Sequence, residues 1–326
     1  IMLCYFSLGK IQTVPLFIVV LMLLYGISGT YQPAVQASVP LLVAKDKLMA
    51  GNAVINQVNT LSGLLGPVIG GVMFALWGIY PILLLSAACF AFSAIMEIFI
   101  HIPQEKRPCE VGTFRAVGMD LKESYRFVKA EKPIFFSVAF LVSIFNLVLS
   151  AVMIVGIPTL ITQVLGMSDT MYGFAQGVLA LGGLCGGILT AIVSQKLKIR
   201  NSYVLLLACS IAVAFMGIPL FLNMSAIVSY WIITFMSFTA MGASTLFTVQ
   251  IYTLVQMQTP FQLVGKIMAA LISIAMCGQP IGQAIYGVLF DIFAAHTWVV
   301  LIWAAIAAAL ISLYSKKIFG RLENSK

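Results

Sequence analysis

Charge is what this 326-residue chain has least of. Only 9% of its residues are charged, and Asp and Glu together number 10. A soluble domain carries roughly 25% charged residues, so no water-facing enzyme surface can be assembled from this composition. Disorder is excluded as well, because a disordered chain is poor in apolar residues. Nucleic-acid binding is excluded too, since it needs clustered Lys and Arg on a soluble fold. The two histidines, His101 and His296, fall on separate segments at opposite membrane faces. The six cysteines show neither metal-ligand spacing nor close pairing, and five lie inside apolar runs. They read as small hydrophobes, with only Cys109 in a charged loop. No Gly-rich loop leads to a P-loop lysine, and no Ser/His/Asp set occurs. The expectation is therefore a non-enzyme with no cofactor and no metal. No nucleic-acid partner and no ATPase subunit is implied. The chain opens as IMLCYFSLGK with no polar head before its apolar run, so no secretory signal is read. It is expected to begin inside a membrane helix.

What is abundant is apolar length. Hydrophobic residues make up 61% of the chain, and the mean hydropathy is +1.07. A spanning helix needs about 20 mostly apolar residues. Nine segments qualify, near 14–44, 49–77, 79–101, 133–156, 171–194, 203–222, 226–256, 264–292 and 297–315, with residues 1–9 as the tail of a tenth. Long unbroken runs exclude a β-barrel, whose strands alternate over ~10 residues. The fold class is all-α membrane protein.

Orientation follows from the basic residues. If the turn at 45–47 is cytoplasmic, 17 of the 18 Lys and Arg residues fall on that side, and only Lys10 does not. The positive-inside rule then places the C-terminus in the cytoplasm and explains the formal charge of +8 without an acidic partner. The one long polar stretch, 102–132, separates two sets of spans. Its Phe114, Val117, Leu121, Tyr125 and Val128 recur at helical spacing between basic residues, which predicts an amphipathic linker helix on the inner face.

The chain also repeats itself. GPVIGG at 66–71 and QPIGQA at 279–284 align at an offset that superposes Pro67 on Pro280, Leu48 on Phe261 and Gln36 on Val249. Parallel repeats of six helices mark transporters. The repeat predicts that about 80 residues, holding two helices and most of a third, precede this sequence in a twelve-span whole.

These features resemble the major facilitator superfamily. LSGLLGPVIGG at 61–71 is similar to the antiporter motif of proton-coupled drug exporters, matched by Gly66, Pro67, Gly70 and Gly71. YQPAVQASVPLLV at 31–43, KDKLMAGNA at 45–53 and TPFQLVGKI at 259–267 resemble the macrolide-efflux and enterobactin-exporter branch. The resemblance implies two pseudo-symmetric six-helix bundles, here without helices 1, 2 and most of 3. The partial N-terminal bundle is 1–101, the cytoplasmic linker 102–132, the C-terminal bundle 133–315 and the cytoplasmic tail 316–326. Two stretches depart from the family pattern. Leu24 and Tyr25 stand where an arginine is common, and SQKLKIRN at 194–201 lacks the acidic partner of the usual basic loop.

What the resemblance implies is a secondary exporter of amphipathic small molecules in a bacterial cytoplasmic membrane. Its cargo would be macrolide-like drugs or siderophore-like metabolites, and its driving force proton antiport with alternating access. A non-transporting scaffold or sensor, or a proton-coupled uptake system, are the alternatives. Its partners are cargo, protons and the lipid bilayer. Cavity candidates are Gln32, Gln36, Asn52, Asn56, Asn59, Asn146, Gln176, Gln250, Gln279 and Gln283, with Phe145, Tyr172 and Tyr252 as aromatic walls. An amide facing lipid goes unsatisfied, so each must meet protein or water; plain interhelical hydrogen bonding is the competing role. Candidates for proton coupling are Asp291 and the i, i+4 pair Glu97 and His101, because intramembrane ionisable groups are costly to bury. The small-residue pairs among Gly173, Gly177, Gly182, Gly183, Gly186 and Gly187 predict a close helix–helix seam.

Overall fold

The computed structural model describes residues 13–99, 126, 128–130, 132–193, 199–260 and 263–324. Among them there is no strand. Nine long helical segments follow one another: α1 Thr13–Leu42, α2 Leu48–Trp77, α3 Ile79–Ile98, α4 Ile134–Val164, α5 Asp169–Val193, α6 Ser202–Phe221, α7 Ala226–Gln258, α8 Val264–Ile292 and α9 Thr297–Asn324. Seven of the helical stretches are long and apolar enough to cross a membrane. In lipid the backbone must satisfy itself, and a helix does so within one segment.

The repeat is visible in the elements. The sequence offset carries α1 onto residues 226–255, almost the whole of α7. It carries α2 onto 261–290, almost the whole of α8.

Two helix ends differ from expectation. The segment placed at 133–156 runs on to Val164 through Pro158. Two π-helical stretches, Asn146–Ser150 and Thr159–Val164, lie on either side of that proline. Pro158 lacks an N–H and crowds the turn before it, and the wider π turns let the chain continue where a strict α ladder stops. The tail placed at 316–326 as a separate piece is helical through Asn324. Ile318 and Phe319 are buried while Lys316 and Lys317 are exposed. The Phe319 ring packs edge-on to Phe247 at 6.3 Å, so the tail is the end of an amphipathic helix fixed to the core. Most of the expected linker helix lies outside the described residues; within it, residues 126 and 128–130 are helical and Val128 is buried, as its stripe position requires.

The core sits among α4–α9, where one buried cluster runs from Phe135 to Phe319. By contrast α3 buries none of its residues. Glycine makes two seams in this half. On α5, Gly182 and Gly186 face the carbonyls of Phe238 and Gly242 on α7. On α8, Gly278 and Gly282 face the carbonyls of Ser143 and Leu147 on α4. Each pair is spaced by four, on one helix face, and a methyl group at any of the four positions collides with backbone. The predicted seam on α5 is thus met at Gly182 and Gly186.

The other half touches this core through residues 36–60. Met49 and Ala53 of α2 bury Val249 of α7. Thr60 and Gln57 lie against Gly183 and Gly187 of α5, and Ala37 of α1 lies against Gly265 of α8. These contacts lie toward the end of the molecule that carries the Lys45–Lys47 turn.

Candidate functional site

Two polar constellations emerge, one at mid-height and one at the end where the halves meet. The first surrounds a cavity of about 360 Å³ among α4, α5, α7 and α8. Phe145, Leu149, Met153, Leu179 and Met241 supply apolar wall. Tyr172, Gln176, Ser150, Ser244 and Gln279 supply the polar points. Among the described residues, no Asp, Glu, Lys, Arg or His lines it. Gln176 Nε2 donates to the Tyr172 hydroxyl oxygen at 2.9 Å, one turn away on α5. That bond aligns the two groups and leaves the phenol hydrogen free to donate. The Phe145 ring is held by Phe247 at 5.3 Å. Asn146 sits behind this wall. Its Nδ2 donates to the Ala275 carbonyl at 3.2 Å, and its Oδ1 accepts from Ser150 Oγ at 2.8 Å. Asn146 therefore ties α4 to α8 and orients Ser150, which lines the cavity.

The second constellation is an amide cluster joining α1, α2 and α7. Asn52 Nδ2 donates to Gln256 Oε1 at 2.5 Å and to Thr253 Oγ1 at 3.1 Å. Gln256 Nε2 donates to the Gln36 carbonyl at 2.8 Å and lies 3.4 Å from Asn52 Oδ1. Pro40 stands four residues after Gln36 and has no N–H to give that carbonyl. The Gln256 amide fills the vacancy that the proline creates. All four side chains are buried, and buried polar groups are stable only when paired. Gln36 Oε1 is buried here without a hydrogen-bond partner, so the cluster holds one spare acceptor.

The remaining predicted residues scatter. Gln250 is buried and accepts from Ser202 Oγ at 2.8 Å, bracing α7 against α6, and is not among the cavity's wall residues. Tyr252 packs against the main core. Gln32 and Asn59 are exposed, and Gln283 is half-buried. Asn56 accepts from Thr60 Oγ1 at its carbonyl at 2.8 Å. Asp291 is exposed at the far end of α8. Glu97 accepts from the Tyr31 hydroxyl at 2.9 Å. The pair faces a second cavity of about 520 Å³ between α1 and α3. His101, its expected partner, lies outside the described residues.

In the antiporter-like stretch no atom of the described residues lies within 4 Å of a Cβ placed on Gly66 or Gly70. Among the described residues, close approach to a neighbouring backbone is made at Gly182, Gly186, Gly278 and Gly282. Pro67 and Gly71 are helical, and their surroundings lie outside what is described. Sequence reasoning missed Gln256, Thr253, Ser150 and Ser244. An amide two residues from a helix end was the one available signal for Gln256.

Comparison with known proteins identifies the family. The sequence profile of the Major Facilitator Superfamily matches residues 1–271. The chain is 27% identical over 256 residues to the enterobactin exporter EntS of Escherichia coli O1:K1 / APEC and of Escherichia coli O45:K1 (strain S88 / ExPEC). That match covers 78% of this chain and 58% of each relative, so the chain spans little more than half the length of the proteins it matches. With the profile spanning most of its residues and seven helices long and apolar enough to cross a membrane among those described, the chain is a multi-pass membrane protein of the Major Facilitator Superfamily.

Proposed function

We propose that the protein exports uncharged amphipathic small molecules across a bacterial cytoplasmic membrane by alternating access. The observation that carries this reading is the mid-height cavity, apolar with a few fixed polar points and, among the described residues, no charged wall residue. Such a site binds mainly by apolar burial and orients cargo by hydrogen bonds from Tyr172, Gln279 and Ser244. A permanently charged molecule entering it loses hydration and gains no counter-ion. The similarity to enterobactin exporters supports efflux as the direction.

In this reading the end bearing Lys45, Lys47, Lys266 and Lys317 faces the cytoplasm, in accord with the basic-residue asymmetry. The conformation described is then closed on the cytoplasmic side by Asn52, Gln256, Thr253 and the Gln36 carbonyl. Rocking of the two halves breaks that cluster to admit cargo and remakes it to release cargo outward. Inward proton movement drives the cycle. Glu97, hydrogen-bonded to Tyr31, is its leading coupling candidate and Asp291 the second.

The test is flux in inside-out vesicles carrying the full-length protein. With an imposed pH gradient, a neutral amphipathic dye should accumulate, and Tyr172→Ala should reduce its accumulation severalfold at equal protein level. Dye entry indifferent to both the gradient and Tyr172→Ala contradicts the proposal.

A further inference from the structure

Away from the central cavity and the amide cluster, a third concavity lies on the flank of the α4–α9 half. It opens between the first turn of α4 and the last turns of α9, with a volume of about 320 Å³, and is lined by Pro133, Ile134, Ser137, Tyr314, Lys317 and Ile318. We propose that it is a binding site for the phosphate of an anionic phospholipid in the leaflet at the basic end of the molecule.

The donor set fits a phosphate. Lys317, Tyr314 and Ser137 line one volume, and among the described residues no carboxylate lines it. Lysine binds phosphate as a point charge, and hydroxyl donors complete its oxygen shell. The start of α4 contributes the positive end of its helix dipole to the same space.

The level in the membrane fits a headgroup. Lys316, beside Lys317, holds its ammonium over the Tyr203 ring at 5.3 Å. Two tyrosines and two lysines thus share one height at the end of α9. Tyrosine collects at the membrane–water interface, and lysine reaches it by extending its stem along apolar surface.

The walls continue as lipid would. From the pocket toward the bilayer centre, α9 presents Leu313 and Leu310, and α4 presents Phe140; each is about 60% exposed, at 59%, 63% and 62%. Lys317, Tyr314, Leu313 and Leu310 share one helical face by their three- and four-residue spacing. A charged head and an apolar tail therefore find their partners in the order a phospholipid presents them. A free phosphate uses only the head of this arrangement.

The test uses full-length protein in a zwitterionic detergent, with lipid binding read by native mass spectrometry. Dioleoyl-phosphatidylglycerol should bind at one saturable site, tighter than dioleoyl-phosphatidylcholine. Lys317→Gln should weaken the phosphatidylglycerol site about tenfold, because a charge-assisted bond to phosphate is lost. Tyr314→Phe, which removes only a hydroxyl, should weaken it less, and Lys316→Gln should leave it nearly unchanged. Inorganic phosphate at millimolar concentration should not displace the lipid. Wild-type phosphatidylglycerol affinity in both Lys317→Gln and Tyr314→Phe overturns the proposal. Displacement by inorganic phosphate overturns it too, since the site then serves a free anion.

Discussion

Asn52→Ala should unlatch the end of the protein where the halves meet. The loss can be counted from the contacts. Thr253 keeps its own bond, donating to the Val249 carbonyl at 2.8 Å. Gln256 Nε2 keeps the Gln36 carbonyl at 2.8 Å. What is orphaned is Gln256 Oε1, whose donor at 2.5 Å disappears. A buried acceptor left without a donor costs about 1–3 kcal/mol. In an open conformation the same group meets water and loses nothing, so the cost falls on the closed state alone. The closed-to-open ratio then shifts by about 5- to 150-fold. Ser150→Cys places a reporter in the cavity wall, introduced in a background whose native cysteines are replaced by alanine or serine. In inside-out vesicles a membrane-impermeant maleimide should label it slowly, and Asn52→Ala should accelerate labelling within that range. Gln256→Leu should act in the same direction, because it returns the Pro40-freed carbonyl of Gln36 to an unpaired state. Unchanged labelling in both variants would refute the latch.

Further expectations follow from the seams, the cavity and the topology. Gly278→Ala and Gly186→Ala push a methyl into the carbonyls of Ser143 and Gly242; each should destabilise the protein by about 1–3 kcal/mol, read as a lower melting temperature in detergent. Tyr172→Phe should lower affinity for cargo bearing a hydrogen-bond acceptor by about 1 kcal/mol, or roughly fivefold, with little change for a purely apolar dye; equilibrium dye binding distinguishes the two. A tag at Lys326 should be accessible to a protease only in inside-out vesicles, and digestion in intact cells would reverse the assigned orientation.

The spans were legible because lipid allows the backbone few alternatives; the nine long helices among the described residues fall where apolar runs predict them, and the expected helix tail at 1–9 lies outside those residues. Their ends were less so. Pro158 reads as a stop, yet π turns carry α4 on to Val164, and hydropathy contains no signal for that widening. The amides show the same divide. The sequence says that Gln36, Asn52, Asn146, Gln176, Gln250 and Gln279 must each find a polar neighbour, and cannot say which. Gln176 and Gln279 meet the cavity, Gln250 meets Ser202, and Asn52 meets Gln256 across 204 positions of sequence. Pairing between helices is set by their tertiary order. Pro40 was readable as a freed carbonyl, but its complement on α7 was not. The glycines repeat the lesson: spacing by four marks Gly66–Gly70 and Gly278–Gly282 alike, and among the described residues only the second pair has a backbone against it.

The central claim is that one cavity is offered in turn to the two sides of the membrane. The most direct measurement is labelling of the single Ser150→Cys reporter in full-length protein by an impermeant maleimide, in right-side-out and inside-out vesicles, with and without an imposed pH gradient. The account predicts fast labelling from outside and slow labelling from inside at rest. It further predicts that saturating cargo on the inside raises the inside rate and lowers the outside rate together. Labelling from one side only, whatever the gradient or cargo, or rates that rise on both sides at once, would contradict alternating access through this cavity.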